Sequence, residues 1–520
     1  MAEEFPYDTV PYPSKFFLQT HPDRLAAAGI LYGMQPAPVE NCRVLELGCG
    51  NGSNLISHAF GLPNSKFVGI DLSEIHIDQA NEAAKELDLA NIEFRKIDVM
   101  QMTAEDFGKF DYITAHGLFS WVPDFVREKV LALFNELLEP NGVGYISYNA
   151  YPGAYSREMV RSLMRYHTRD IHDPNAKVEK AISLLGLLAK NATEPEVYQR
   201  ILQFEFRRHQ THDIADIFHD DLGDCYHPFY FHEFADLLNK NGLQFLSEAE
   251  LHASSRQGVT AEYNELSNSF DDPIEREQYL DLLRGRVFRQ TLFCRSDIKL
   301  DREPKPDLIQ KLYLSSSLRA IEPLEDIATQ KVQKFGNAKG HTMQIDHPLT
   351  KASLAYLGEI WGRSISTTEL LNAAKQILTN ARSSIQNWDE EFETTRMILI
   401  QICLSSDLVE LHTYAANAVG NAGAKPIVNR LSRWQLRDAS NVLTLLNKDL
   451  KLEDKTAHHL LELMDGTRTK MKLVTDMQGF VRSADDIADK QQLIRDMPDW
   501  VNESIQELER LGLFEAQPAG

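Results

Sequence analysis

Glycine at every second position, Gly48-x-Gly50-x-Gly52, directly after the stretch Val44-Leu45-Glu46-Leu47, constrains this chain more than any other feature. The apolar stretch reads as a buried strand, and SNLISHAFG (53–61) reads as the helix it feeds, ended by Gly61. A tight strand-to-helix turn needs backbone that reverses with no Cβ in the way, which glycine supplies. The dinucleotide fingerprint Gly-x-Gly-x-x-Gly fails because position 53 is Ser, and the Gly-Lys-Ser/Thr of a phosphate loop is absent. Glu46 instead places a carboxylate just before the loop, which suits a ligand with an ammonium group better than one with a pyrophosphate.

Strand and helix then alternate. KFVGIDLS, IEFRKIDV, FDYITAHG and VGYISYN read as further strands. EIHIDQANEAAKELDL reads as an amphipathic helix, and VREKVLALFNELLEP as a helix stopped by Pro140-Asn141-Gly142. Such alternation predicts an α/β fold with a parallel, doubly wound sheet. Asp71 and Asp98 fall at the carboxyl ends of the second and third strands, the rim where open α/β sheets bind ligands. There Asp71 can accept both hydroxyls of a ribose, and Asp98 can accept from the exocyclic amine of an adenine. FYFHEFADLLNKNGLQFLSEAEL and RQTLFCR (289–295) read as the last helix and strands of the same seven-stranded sheet.

The predicted organisation is an N-terminal arm (1–40), a nucleotide-type domain (41–154), a helical insertion (155–224), the end of the sheet (225–297), a proline-marked linker (298–340) and a C-terminal region (341–520). In the last of these, helices at HPLTKASLAYLGEIW, SISTTELLNAAKQIL and DEEFETTRMILIQICL precede the strand-like DLVELHTY, the order of a winged-helix unit. Ser366 and Glu369 are spaced as a capping box.

Composition narrows the function. No run approaches the ~20 apolar residues of a membrane helix, and the first residues carry no secretory pattern, so a cytoplasmic location is expected. The 5 cysteines form no CxxC pair, which argues against a disulfide framework or a cysteine zinc site. The histidines around THD (211–213), together with His219, His227 and His232, match no metal-ligand spacing, so no metal is expected. Lys plus Arg is 54 and Asp plus Glu is 76, a formal net charge of −22. That field disfavours a nucleic acid and attracts a basic protein or peptide.

The loop E-x-G-x-G-x-G, followed by GID and then IDV, resembles the class I S-adenosylmethionine-dependent methyltransferases. With QTHPDRLA, AHGLFSWVP and SYNAYPG, the chain further resembles a bacterial subgroup that carries a methyltransferase regulatory domain. That subgroup includes the rickettsial lysine methyltransferases of outer-membrane proteins. It has Trp-His after Pro-Gly, whereas this chain has Ala154-Tyr155. The resemblance implies a Rossmann-like seven-stranded sheet with helical insertions, a C-terminal α+β winged-helix-like region, and S-adenosylmethionine as cofactor. It implies that Glu46 faces the methionine amino group and that Gly48, Cys49, Gly50 and Gly52 form the loop under the cofactor. Asp71 would hold the ribose, Leu72, Asp98 and Val99 would surround the adenine, and His116 would lie beside the sulfonium. Gln19, Thr20 and His21 would fold over as a lid.

On the acceptor side, His116, Trp121, Tyr148, Asn149 and Tyr151 are the candidates, since SWVP and SYNAYPG follow two neighbouring strands. His116 and Trp121 read equally as packed residues, and His21 as a turn cap. The resemblance implies a protein or peptide acceptor methylated on lysine, an outer-membrane protein before export among the options, and leaves a homodimer open. A small-molecule O-, N- or C-methyltransferase is the alternative. A base-methylating enzyme of the amino type is disfavoured, because Ala115-His116-Gly117-Leu118 stands where Asn/Asp-Pro-Pro-Tyr/Phe would be.

Overall fold

The computed structural model describes residues 6–515 except 14, 193–194, 325, 339, 384, 416–421, 438–440, 445–448, 453 and 485–488. The chain forms two compact units, Met1–Arg302 and Glu303–Gly520.

In the first unit, β1 (Arg43–Leu47), β2 (Lys66–Asp71), β3 (Ile92–Lys96), β4 (Phe110–Ala115), β5 (Leu138–Asn149), β6 (Leu243–Glu248) and β7 (Phe288–Arg295) make one sheet. Its order is β3-β2-β1-β4-β5-β7-β6. β1 to β5 pair in parallel, whereas β7 runs antiparallel to both β5 and β6. The order reverses between β1 and β4, so a crevice opens at their carboxyl ends. Val44, Leu45 and Leu47 of β1 are fully buried, as expected for a strand covered on both faces.

The glycine loop is pressed onto this sheet by one aromatic ring. A Cβ at Gly52 would lie 2.5 Å from Phe94 of β3, and one at Gly69 would lie 2.6 Å from the same ring. Gly52 also has φ +75°, so an L side chain there meets both a clash and backbone strain.

Three helices, Ala154–His167, Pro174–Asn191 and Glu196–His209, follow β5. They share their own core of Val160, Met164, Val178, Leu185, Leu202 and Ile217. Upstream of β1, the helix Pro22–Leu31 is capped by His21, whose ring accepts from the Asp23 N–H at 3.2 Å.

The antiparallel end of the sheet carries a buried ion cluster. Arg289 of β7 is fully buried and reaches Asp281 at 2.7 Å, Glu248 at 2.8 Å and Glu277 at 2.9 Å. Its guanidinium also lies 3.8 Å from the Phe231 ring centroid. Glu277 and Asp281 belong to the helix Pro273–Arg284, so this one side chain ties that helix to β6 and β7.

In the second unit, the helices Pro348–Glu359, Thr367–Asn380 and Trp388–Ser405 precede the strand Glu410–His412. Ser366 caps the second helix by accepting from the Glu369 N–H. The stretch 298–340, expected as a linker, instead carries strands. Tyr313–Ser315 is the central strand of a three-stranded sheet, with Leu314 fully buried. A strand of three residues is too short to show alternation, which is why the sequence hides it. Further on, the helices Lys455–Leu463, Lys470–Ser483 and Lys490–Arg510 enclose Leu460, Leu473, Met477, Val501 and Phe514.

Replacing Arg289 by Ala should destabilise the first unit by about 3–5 kcal/mol, because it leaves buried carboxylates without a counter-charge. Urea unfolding of the purified variant measures this; a loss below about 1 kcal/mol would show that the cluster is dispensable.

Candidate active site

The carboxyl ends of β1, β2 and β3 bring Glu46, Asp71 and Asp98 to one cavity of about 870 Å³. Glu46 is 3% exposed. Its Oε1 accepts from Asn54 Nδ2 at 2.7 Å, while its Oε2 is buried with no hydrogen-bond partner. Burial pushes this carboxyl up to about 8, against the lowering effect of Asn54 and with a further push from Asp71. A buried acceptor atom with nothing to accept from fits a cationic ligand group.

Asp71 acts on the backbone first. Its Oδ2 accepts from the Gly50 N–H and its Oδ1 from the Ser73 N–H, both at 2.9 Å. Gly48 and Gly50 take φ +72° and +52°, and at Gly50 nothing lies within 4 Å of where a Cβ would stand. At Gly50 the loop is therefore bare backbone facing open space. Asp98 Oδ1 accepts from the Met100 N–H at 2.9 Å and caps a short turn after β3.

Residues before β1 and after β5 close the other half of the cavity. Asn54 Nδ2 also donates to Thr20 Oγ1 at 3.0 Å, and its Oδ1 accepts from the Phe17 N–H at 2.9 Å. The Phe17 ring stacks on His116 with centroids 3.7 Å apart. His116 Nδ1 lies 2.7 Å from the Tyr145 hydroxyl. Burial, with a smaller effect of the Lys15 charge, lowers the His116 pKa to about 3, so the ring is neutral at ordinary pH. Lys15 Nζ lies 2.6 Å from Asp216 Oδ1 and 4.8 Å from the Tyr12 ring centroid.

The insertion adds an ion network. Arg157 pairs with Asp221 at 2.9 Å and Asp220 at 3.3 Å, and its Nη1 donates to Asn149 Oδ1 at 3.4 Å. Arg208 pairs with Glu205 at 2.8 Å and Asp221 at 3.3 Å. Burial works to raise Asp221, but Arg157, His209 and Arg208 hold it well below the ordinary carboxylate range. Trp121 packs beside Tyr226 at 5.2 Å, with the Arg157 guanidinium 5.4 Å over its ring.

Comparison with known proteins shows the family. Residues 38–205 match a family described as methyltransferase domain, 215–295 one described as predicted methyltransferase regulatory domain, and 424–513 one described as PKMT, C-terminal winged helix domain. The uncharacterized protein RP789 of Rickettsia prowazekii is 33% identical over 388 residues, 74% of this chain and 70% of that one. RP028 of the same organism is 33% identical over 243 residues, 46% of this chain and 96% of that one. The structure of PKMT2 from Rickettsia typhi in complex with AdoHcy superposes with a TM-score of 0.83 at 25% identity, covering 97% of this chain and 100% of that one. The chain belongs to the S-adenosylmethionine-dependent methyltransferases.

The methyltransferase brings together Glu46, Gly48, Cys49, Gly50, Asp71, Leu72, Asp98, Val99, His116, Trp121 and Asn149 around the cavity. The remaining expected residues are placed elsewhere. Tyr148 is 1% exposed and stacks on Phe234 at 4.1 Å, in the core beneath the sheet. Side chains alternate along β5, so Tyr145, Ser147 and Asn149 share one face, where Asn149 lines the cavity, Tyr145 meets His116 and Ser147 accepts from the Gly117 N–H, while Ile146 and Tyr148 point to the other. Tyr151 does not line the cavity either, donating to Glu158 at 2.9 Å and stacking on Tyr155 at 4.3 Å. Gly52 is covered by Phe94 and does not line the cavity. Gln19, Thr20 and His21 support residues that do: Gln19 bonds the Tyr145 hydroxyl, Thr20 holds Asn54, and His21 caps its helix.

Sequence reasoning missed Tyr12, Lys15, Asn54, Arg157 and Tyr226. Asn54 alone carried a usable signal. It stands in the first turn after the glycine loop, where a side chain can reach back to the strand end.

Glu46 makes the free enzyme pH-sensitive. Its folded-state pKa lies near 8, above the ordinary 4.5, so the folded state holds a proton that the unfolded chain releases. Stability therefore falls as pH rises through that window and is level above it. Without methyl donor, Glu46→Gln should show a smaller drop in melting temperature between acid and mildly alkaline pH than the parent enzyme. Equal slopes by scanning calorimetry would remove Glu46 from this role.

Proposed function

We propose that this enzyme N-methylates lysine side chains of a protein or peptide. The observation that carries the reading is the Lys15 ammonium seated against Asp216 and Tyr12, since a wall of the cavity already accommodates a lysine head group. The whole-length likeness to PKMT2 of Rickettsia typhi, a rickettsial protein-lysine methyltransferase, supports it, as does the net charge of −22.

S-adenosylmethionine supplies a methyl group on a positively charged sulfur. For its binding, Glu46 Oε2 offers the unpaired acceptor for the amino group, and the exposed backbone at Gly50 allows close approach. Asp71 has lone pairs left after its two backbone bonds and can accept from ribose hydroxyls. Asp98 can accept from the adenine amine, with Leu72 and Val99 as its apolar surroundings.

A lysine amine at its ordinary pKa of about 10.4 is only ~0.04% neutral at pH 7, so the acceptor half must favour the neutral form. His116, held neutral by burial, adds no positive charge there. Trp121 and Tyr226 offer flat ring surface, with the Arg157 guanidinium lying over the Trp121 ring, and Asn149 can orient the incoming nitrogen. Positioning of this kind supplies most of the rate in a simple group transfer.

Isotopically labelled donor incubated with fractionated lysate tests the class, with methyl-lysine recovered from the protein fraction as the expected product. Label confined to small molecules would overturn the reading. Asp71→Ala should weaken donor binding by about 1–3 kcal/mol in a calorimetric titration, the usual cost of losing a buried hydrogen-bond partner. Asn149→Ala should instead lower turnover while leaving donor affinity nearly unchanged. Parallel losses in affinity and turnover would place Asn149 in the donor pocket.

A further inference from the structure

Among the described residues that line the cavity, Lys15 is the one lysine. It is not on a loose tail. Downstream, the Phe17 N–H is bonded to Asn54 and the Phe17 ring lies on His116. Upstream, His219 Nε2 donates to the Val10 carbonyl at 2.6 Å, and Tyr7 stacks flat on the His219 ring with centroids 4.0 Å apart. The arm is thus fixed on both sides of Lys15. Its side chain is 35% exposed, while that of Asp216 is 10% exposed. Asp216 holds the ammonium with a nearly buried carboxylate, and the Tyr12 ring lies beside it. His116 follows β4, next to β1 across the point where the strand order reverses, so the arm crosses the crevice where donor and acceptor must meet.

We propose that Lys15 is an acceptor of the enzyme's own reaction, methylated within the same chain. This rests on the reading of the cavity as a lysine N-methylation site. The Lys15 ammonium, whose side chain is 35% exposed, loses its proton to solvent, and the freed Nζ lone pair forms the bond to the methyl carbon. The carbon–sulfur bond of S-adenosylmethionine breaks with its electron pair left on sulfur, giving S-adenosylhomocysteine and a methylated ammonium. Each added methyl removes an N–H donor but keeps the positive charge, so the hold of Asp216 weakens while attraction to the Tyr12 ring remains.

Two measurements on the full chain test this. In the first, no donor is present. An amine-reactive ester footprint should modify Lys15 more slowly than the exposed Lys85, and Asp216→Asn should speed modification of Lys15. Equal rates at Lys15 and Lys85 in the parent protein would overturn the seated amine without recourse to any variant. In the second, isotopic S-adenosylmethionine is added, and the peptide spanning Lys15 is followed by mass spectrometry beside lysate protein. Label at Lys15, at a fractional rate unchanged by dilution of the enzyme, is the expected result, and Lys15→Arg loses it. Labelled lysate lysine with Lys15 unmodified overturns the self-methylation and leaves the proposed function standing. Absence of methyl-lysine from both overturns the proposed function and the self-methylation together.

Discussion

A single hydrogen bond at the end of β1, from Asn54 to Glu46, holds the two halves of the cavity together. Glu46 belongs to the sheet and Asn54 to the first turn of the helix after the glycine loop. The same Asn54 side chain grips the N-terminal arm through Thr20 and Phe17. A buried carboxylate needs partners, and an amide that both donates and accepts can serve several at once. Sheet, loop and arm therefore share one polar junction. The arm in turn places Phe17 on His116 and Lys15 against Asp216, while Glu46 keeps its second oxygen without a partner.

The helical insertion is tied in by a different device. Arg157 and Arg208 converge on Asp221, with Asp220 and Glu205 as further partners. Such largely buried ions add little net stability, because desolvation offsets most of their attraction. What they fix is position, since a fork-shaped guanidinium accepts carboxylates in few orientations. The insertion thereby sets Trp121 and Tyr226 beside one another at the site. The segment matched to the regulatory family plays a plainer part as well: it supplies β6 and β7, the antiparallel end of the same sheet.

Legibility in the sequence followed local periodicity. Glu46, Asp71 and Asp98 were readable because each stands at a strand end, and strand ends define the ligand rim of this class of sheet. β7 was readable as a strand from Leu292-Phe293-Cys294 within RQTLFCR, but its antiparallel direction was not, since direction depends on which strand it meets. Tyr148 was misjudged because two adjacent residues of one strand were both assigned to one face. Lys15, Tyr12 and Arg157 could not be read, since their roles depend on contacts between residues far apart in the chain, such as Lys15 with Asp216. The strand Tyr313–Ser315 was hidden by its brevity.

β5 serves the cavity and the core in alternation. Asn149 lines the cavity and Tyr145 supports His116 beneath it, while Tyr148 between them stacks on Phe234 in the core. A drift of one residue in its pairing with β4 and β7 would exchange these sets, burying the polar tips and wetting the rings. Substitution tolerance along this strand should therefore flicker with a period of two, with neighbouring codons answering to unrelated selective pressures. One parity of β5 is then free to change with the cavity, while the other parity stays locked by the core.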